Sequence, residues 1–457
     1  MKRIYPIALA ASLIALAGCS DDDNDVITIE QDEPQTMAYV RVIHASSDAP
    51  KVNVNVNGSQ LLTDVDYAMS SGLIQVDTAS YDIDVDAILA DGTTATVLET
   101  NLSTEADMEY TAVAVGSVAE ETLALKLIAN PMAAIASGYA RVQVLHAAAD
   151  VGLVDIYVTE PGADIDMMSP TLSANYMDNS EQLELATGDY QIRITASGMK
   201  DVVYDSGTIT LGDMTDYLVS AITNTWSGDA PVALHIALVE GQVIVNDANS
   251  GADLRVIHAV ADAPEVDVFL DDATSPAVDM LAFKAFTPYV NIPEGMHTVT
   301  VAADADNSVV VIDKAPIEPM IGMSYSAFAV GSLSDDMIEP LVLMEDTRRV
   351  ATEAKLNVLH SAYSAPEVDI YLTDSADISE ATPALTSVPF KTASGSLSIA
   401  PGNYTISVAV AGTKTVAIGP LDVTLEAGGI YGVAAVDNMG GGAPFGVILL
   451  DDFNAEM

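Results

Sequence analysis

The sequence is poor in cysteine, tryptophan and positive charge. Its 457 residues hold one Cys and one Trp, and 16 Lys and Arg stand against 66 Asp and Glu, a formal charge of −50. A single Cys excludes a disulfide framework within the chain and any multi-cysteine zinc or iron–sulfur centre. So large an acid excess excludes nucleic acid and anionic membrane faces as direct partners, because phosphates repel it. One Trp and 5% aromatics leave little material for a sugar-stacking platform. There is no Gly-x-Ser-x-Gly, no Gly-rich phosphate loop ending in Lys-Ser/Thr and no His-Glu-x-x-His, so the common hydrolase, nucleotide and zinc-protease chemistries have no signature here. Half of the residues are nevertheless apolar, which excludes a wholly disordered acidic chain. The length corresponds to about three or four domains.

The N-terminus carries the one long apolar run. Lys2 and Arg3 precede the stretch Ile4 to Leu16, interrupted by Pro6, and Leu16-Ala17-Gly18-Cys19 follow. A basic start, a short apolar stretch and small residues make a secretory signal over residues 1–18, shorter than the ~20 residues of a spanning helix. Leu-Ala-Gly-Cys resembles the lipobox of bacterial lipoproteins at all four positions. That resemblance implies cleavage between Gly18 and Cys19, acylation of Cys19 and attachment to a membrane through its lipid. Ser20, in place of a retaining Asp, implies the outer membrane of a bacterial envelope, facing either the periplasm or the surface. Cleavage removes two basic and no acidic residues, deepening the charge from −50 to −52. Residues 19–37, opening Cys19-Ser-Asp-Asp-Asp-Asn-Asp25, read as the lipidated Cys and an acidic, self-repelling tether.

The rest of the chain repeats itself. Arg41-Val-Ile-His-Ala-Ser-Ser-Asp-Ala-Pro50 returns as Gln143-Val-Leu-His-Ala-Ala-Ala-Asp150, Arg255-Val-Ile-His-Ala-Val-Ala-Asp-Ala-Pro264 and Asn357-Val-Leu-His-Ser-Ala-Tyr-Ser-Ala-Pro366. Four of the six histidines, His44, His146, His258 and His360, therefore share one position, at steps of 102, 112 and 102. Tyr81, Tyr190, His297 and Tyr404 keep step, as do Tyr110, Tyr217, Tyr325 and Tyr431. A period near 107 fits a complete small domain better than a solenoid repeat. Within each copy the apolar period is two: Val52, Val54 and Val56 alternate with Asn, and Val154, Ile156 and Val158 flank Asp155 and Tyr157. Such alternation, punctuated by Asn57-Gly58, Asp91-Gly92, Ser197-Gly198 and Pro401-Gly402, predicts seven or eight short strands per copy. The fold class is all-β: four tandem immunoglobulin-like antiparallel β-sandwich domains over residues 38–131, 138–246, 252–347 and 354–453. A strung-out row of four would extend on the order of 140 Å.

The Val-x-His-Ala-x-x-Asp-Ala-Pro-x-Val-Asp-Val runs resemble the domain family DUF4397, found in secreted and lipid-anchored proteins. Gly188-Asp-Tyr190, Gly402-Asn-Tyr404 and the Tyr-x-x-x-Ala-Val-Gly run at 110–116 carry the same resemblance. The second copy departs from the pattern at Val151-Gly152, and the first has Asn53 where the others have Asp. The family's function is unassigned, so the resemblance implies a fold and no activity.

The repeated histidines fall on the apolar face of their strands, opposite Arg41, Arg141, Arg255 and Lys355. They read as structural groups bonded to the following turn, where Asp48, Asp150, Asp262 or Ser364 stands four residues on. Tyr81, Tyr190 and Tyr404, with His297 in the third copy, read as sandwich corners whose side chains tie a loop. His235 aligns with Lys126 as an outward strand residue. The pairs Asp155/Tyr157, Asp267/Phe269 and Asp369/Tyr371 are the expected exposed contact surface, or else the seam between repeats. Asp82, Asp84 and Asp86 on one strand, and Asp304, Asp306 and Asn307 in one hairpin, could attract Ca²⁺ but match no complete calcium loop; no metal or other cofactor is assigned. The expected function is a monomeric, non-catalytic binding, adhesion or spacer module acting on a surface polymer or protein. Alternatives are a Ca²⁺-dependent binder of surface polysaccharide or a partner protein and, third, a hydrolase using paired carboxylates.

Overall fold

Alternating valines pleat into strands with one buried face, and the chain closes those faces against each other. The computed structural model describes residues 37–454; the signal segment 1–18, the Gly18–Cys19 bond and the tether up to residue 36 lie outside the described residues. Among the described residues there is no α-helix, and one 3₁₀ turn, Asp452–Asn454, follows the last strand. The strands form eight sheets in four consecutive pairs, spanning residues 37–131, 139–245, 252–345 and 354–451.

The first repeat shows the plan. One sheet holds the histidine strand Met37–His44 between Ile74–Asp77 and Met108–Val115, with Ala124–Pro131 at its far edge. The other sheet orders Ser59–Val65, Val52–Val56, Ser80–Ile88 and Thr94–Ser103. The later repeats keep both orders, and the second adds Gln242–Val245 to its histidine sheet. One ladder in each repeat is parallel: Met37–His44 runs alongside Met108–Val115, with Val42 opposite Ala112, and the other three copies match it. All remaining ladders are antiparallel. Side chains alternate with period two in both arrangements, so the sequence pattern alone does not separate them.

Each repeat has its own core between its two sheets. In the second repeat, Val142, Val144, Ile156, Ile194, Val219 and Leu234 meet there; in the fourth, Leu356, Val358, Ile370, Ile406, Val408 and Val433. Two further cores join neighbours. Ile43, Val113, Val115 and Ile128 of the first repeat pack on Leu145, Leu218, Ile222 and Ala237 of the second. Ile257, Phe328 and Val330 of the third pack on Leu359, Ala434, Val436, Ile448 and Leu450 of the fourth. The histidine sheets are thus covered on both faces, which accounts for the near-continuous burial of Met108–Val115 and Ile430–Val436. The expected row of independent beads is replaced by two fused pairs, each four sheets deep.

The pairs are copies of one another. His44 and His258 are 214 residues apart, as are His146 and His360, and Lys200 and Lys414. Polar contacts also tie pair to pair. The Arg348 guanidinium, in the segment between repeats three and four, donates to the carbonyl of Ala49 (2.8 Å) and to Asp66 (2.6 Å) in repeat one. The Ser227 N–H of repeat two donates to the Gly322 carbonyl of repeat three at 3.0 Å.

Candidate functional site

The four repeated histidines are built identically. Each ends its strand at 1% exposure or less, and each Nε2 donates to the carbonyl six residues ahead: Pro50 (3.0 Å), Gly152 (3.1 Å), Pro264 (3.0 Å) and Pro366 (3.1 Å). Burial pushes all four imidazoles below their ordinary pKa, so at neutral pH the ring is uncharged with its proton on Nε2. An aromatic edge closes each site: Tyr67, Tyr176, Phe283 and Phe390 meet the imidazoles with centroids 6.1–6.4 Å apart, nearly perpendicular. These four aromatics escaped the reading of the sequence. Their signal was there, since each stands 14 residues before Tyr81, Tyr190, His297 or Tyr404.

The aspartates four residues beyond the histidines do not bond them. Asp48 accepts from Ser117 Oγ (2.6 Å) and from the N–H groups of Val118 and Ala119 (both 2.9 Å), across the sheet end. Asp262 does the same with Ser332, Leu333 and Ser334. Burial opposes the Asp262 charge, but these donors outweigh it and hold the carboxyl down at about 2. The fourth repeat exchanges the partners, with Ser364 donating to Asp437, and Asp150 in the second is exposed. No His–Asp dyad forms at these positions.

The corner residues all reach back four residues. Tyr81, Tyr190 and Tyr404 donate to the carbonyls of Asp77 (2.8 Å), Ala186 (2.9 Å) and Ala400 (2.7 Å). His297 reproduces the bond with Nε2 to the Pro293 carbonyl (3.0 Å), while Nδ1 faces Asp271 at 3.0 Å; that carboxylate raises its pKa. The phenols of Tyr110, Tyr217, Tyr325 and Tyr431 accept the N–H five residues upstream.

The acidic–aromatic pairs are not an exposed surface. Asp155, Tyr157, Asp267, Asp369 and Tyr371 are between 2% and 6% exposed, and Phe269 is half-buried. The acids cap turns: Asp155 accepts the Gly198 N–H at 2.7 Å, and Asp369 accepts those of Ser387 and Gly412 at 2.8 Å. A flap over residues 160–171 covers Tyr157, pinned by Lys200, whose ammonium lies 4.6 Å from the ring centroid and bonds the Ile165 and Met168 carbonyls. In the fourth repeat Lys414 lies 4.5 Å over Tyr371 and bonds Ala381 in the same way.

Nor are the basic residues opposite the histidines exposed. Arg41 pairs with Glu109 (3.7 Å), Arg141 with Asp216 (3.1 Å) and Lys355 with Asp346 (2.6 Å), while Arg255 crosses to Asp451 of the neighbouring repeat (2.5 Å). His235 points out of its own sandwich, as expected, but the first repeat buries it completely; that burial, with Arg41 nearby, lowers its pKa to about 4. Asp82 and Asp86 are bonded by Asn101 and by Asn55 and Thr96 on adjoining strands, and Asp306 is bonded by Ser308 within its own turn.

Two acidic places among the described residues could receive a polar ligand or a cation. Between repeats two and three lies a cleft of about 550 Å³ lined by Asp229, Asp247, Asp253, Asn249, Asn291 and Ser250, with Val202, Val203 and Pro231 as apolar wall. Asp247 accepts the Asp205 N–H, and Asp253 accepts Asn291 Nδ2; Asp229 stands exposed, not in the dry site a carboxylate general acid needs. In the third repeat, Asp267, Asp279 and Asp304 bring carboxylate oxygens within 4.8 Å of one another. Asp267 accepts one N–H, from Met280, whereas its counterparts Asp155 and Asp369 have donors on both oxygens. Burial and the adjacent Asp267 push the Asp279 carboxyl up. These three hard oxygen donors are the group that could hold a divalent cation.

No curated protein matches the chain. Among solved structures, the TIE protein of Bacillus anthracis aligns at 10% identity over 88% of this chain and 68% of its own, with a TM-score of 0.16, too low to carry an argument. The profile of the domain of unknown function DUF4397 matches residues 38–157, 252–371 and 373–457, the first two segments offset by the same 214 residues as the histidines. Matched over more than half its length, this chain belongs to the DUF4397 family.

Proposed function

We propose that this chain is a lipid-anchored binding protein of a bacterial envelope, held at the outer membrane through Cys19, and that it works without catalysis. The observation that carries this reading is that the recurrent polar side chains hold turns. The histidines bond carbonyls, the corner tyrosines bond carbonyls, and Asp48 and Asp262 bond loop N–H groups. The repeats act as a rigid scaffold, and the cleft of about 550 Å³ between the second and third has the size typical of ligand sites. A surface polymer or protein segment is the ligand class that suits an open, polar, acid-lined cleft. Cosedimentation of residues 20–457 with purified envelope polymers tests this. Asp229→Asn with Asp253→Asn should abolish capture without changing the melting temperature; capture that survives both substitutions, or turnover of the polymer, contradicts the reading. For the anchor, Cys19→Ser should release the protein from membranes, and a variant still tightly bound would contradict lipidation.

The Asp267, Asp279 and Asp304 cluster favours a second reading, in which Ca²⁺ at the third repeat supports binding. Calorimetry with Ca²⁺ and then chelator should show heat and a melting shift that Asp267→Asn removes. No heat and no shift would eliminate this reading.

A further inference from the structure

The third repeat is packed less fully than the first and second. A cavity of about 100 Å³ lies between its two sheets, where the corresponding spaces in the first and second repeats measure about 40 and 30 Å³. Strand register gives the reason. Aligning the parallel and antiparallel ladders of repeats two and three sets Val268 where Ile156 stands, Val299 where Ile192 stands and Val301 where Ile194 stands. Ala327 replaces Val219, and Ile312 replaces the fully buried Tyr204. Volume is added by Leu254 for Val142, Leu270 for Val158, Leu281 for Ala174, Thr287 for Ser180 and Phe328 for Ser220, the last packed into the core shared with the fourth repeat. The five shortened side chains give up several methylene equivalents and most of an aromatic ring, and all five line one space.

The lining is apolar almost throughout. Its one hydroxyl, on Thr287, already accepts the Val256 N–H at 3.0 Å, so little in the cavity favours a polar guest over an apolar one. It reaches the sandwich edge at half-buried Val278 and exposed Val290, on the edge strands of the two sheets. A dry apolar cavity of ~150 Å³ in another protein takes up benzene or xenon, and an opening at an edge supplies a route in.

We propose that the third repeat holds a binding site, between its two sheets, for a small apolar molecule the size of an arene or the end of an alkyl chain. The site is separate from the acidic cleft, and neither depends on the other. The test is melting of residues 20–457 with benzene and, separately, hexane, in wild type and in two cavity-filling variants, Ala327→Val and Val299→Ile. Wild type should melt higher with at least one probe, benzene alone marking an arene site and hexane alone an alkyl site. Each folded filling variant should melt at or above wild type without probe and bind the probe at least about tenfold more weakly, a loss of ~1.4 kcal/mol. No shift with either probe, or a shift that both filling variants retain, overturns the proposal.

Discussion

At the scale of residues, the repeated histidine works as a neutral crosslink between a strand end and the turn after it. Replacing His258 by Ala removes the bond to the Pro264 carbonyl, the edge contact with Phe283 and the Nδ1 acceptor of the Val260 N–H, leaving a buried donor without its acceptor. The expected cost is about 1–3 kcal/mol, read as a lower denaturation midpoint, with ligand capture following the folded fraction. A stable His258→Ala protein that no longer captured ligand would contradict the structural role. The same burial sets a pH dependence. His44, His146, His235, His258 and His360 are depressed below 6.5 in the folded chain, so the unfolded chain takes up protons first as pH falls. Their stabilisation is complete above about 6.5 and declines below it, at up to ~1.4 kcal/mol per pH unit for each histidine. His297, raised by Asp271, acts oppositely, but it is one against five. Glu109, Asp216 and Glu345, raised by burial, oppose the decline only in the carboxylate range. Urea midpoints should therefore fall between pH 7.5 and 5.5; a flat or rising profile would contradict this account.

At the scale of elements, the flap over residues 160–171 shows how a short segment changes what a strand face means. Lys200→Ala removes the clamp on the Ile165 and Met168 carbonyls. The expected result is faster proteolytic cleavage within 160–171 and little change in the rest of the second repeat; unchanged cleavage would show that the buried Ile165 alone holds the flap. This is also where the sequence was hardest to read. Asp155 and Tyr157 sit on the polar side of an alternating strand, and nothing in that period says that a loop returns to cover them. The strands themselves, the corner tyrosines and the histidine position were legible, because each rests on local periodicity repeated four times. The parallel ladder was not, since both pairings share one side-chain period. Arg41 and Arg255 looked solvent-facing for a related reason: a sheet covered by a second sandwich keeps a polar residue where an ion pair forms at the joint, Arg41 with Glu109 of its own repeat and Arg255 with Asp451 of the next. Phe283 and its three counterparts lie in turns, outside the alternating period that marks a buried side chain.

At the scale of the whole molecule, the described repeats form a duplicated pair, with apolar cores between repeats one and two and between three and four. A chain at −50 repels itself, and salt screens that repulsion over about 10 Å at 0.1 M. Melting temperature should therefore rise with NaCl; a steady fall would mean that surface ion pairs outweigh repulsion. The most direct test of the central claim is calorimetry of residues 20–457 beside the same chain carrying Phe328→Asp, a charge placed in the core shared by repeats three and four. The account predicts fewer than four unfolding transitions in the parent, and in the variant a loss of stability that extends to the fourth repeat as well as the third. Four independent transitions, with the substitution lowering only one, would contradict it.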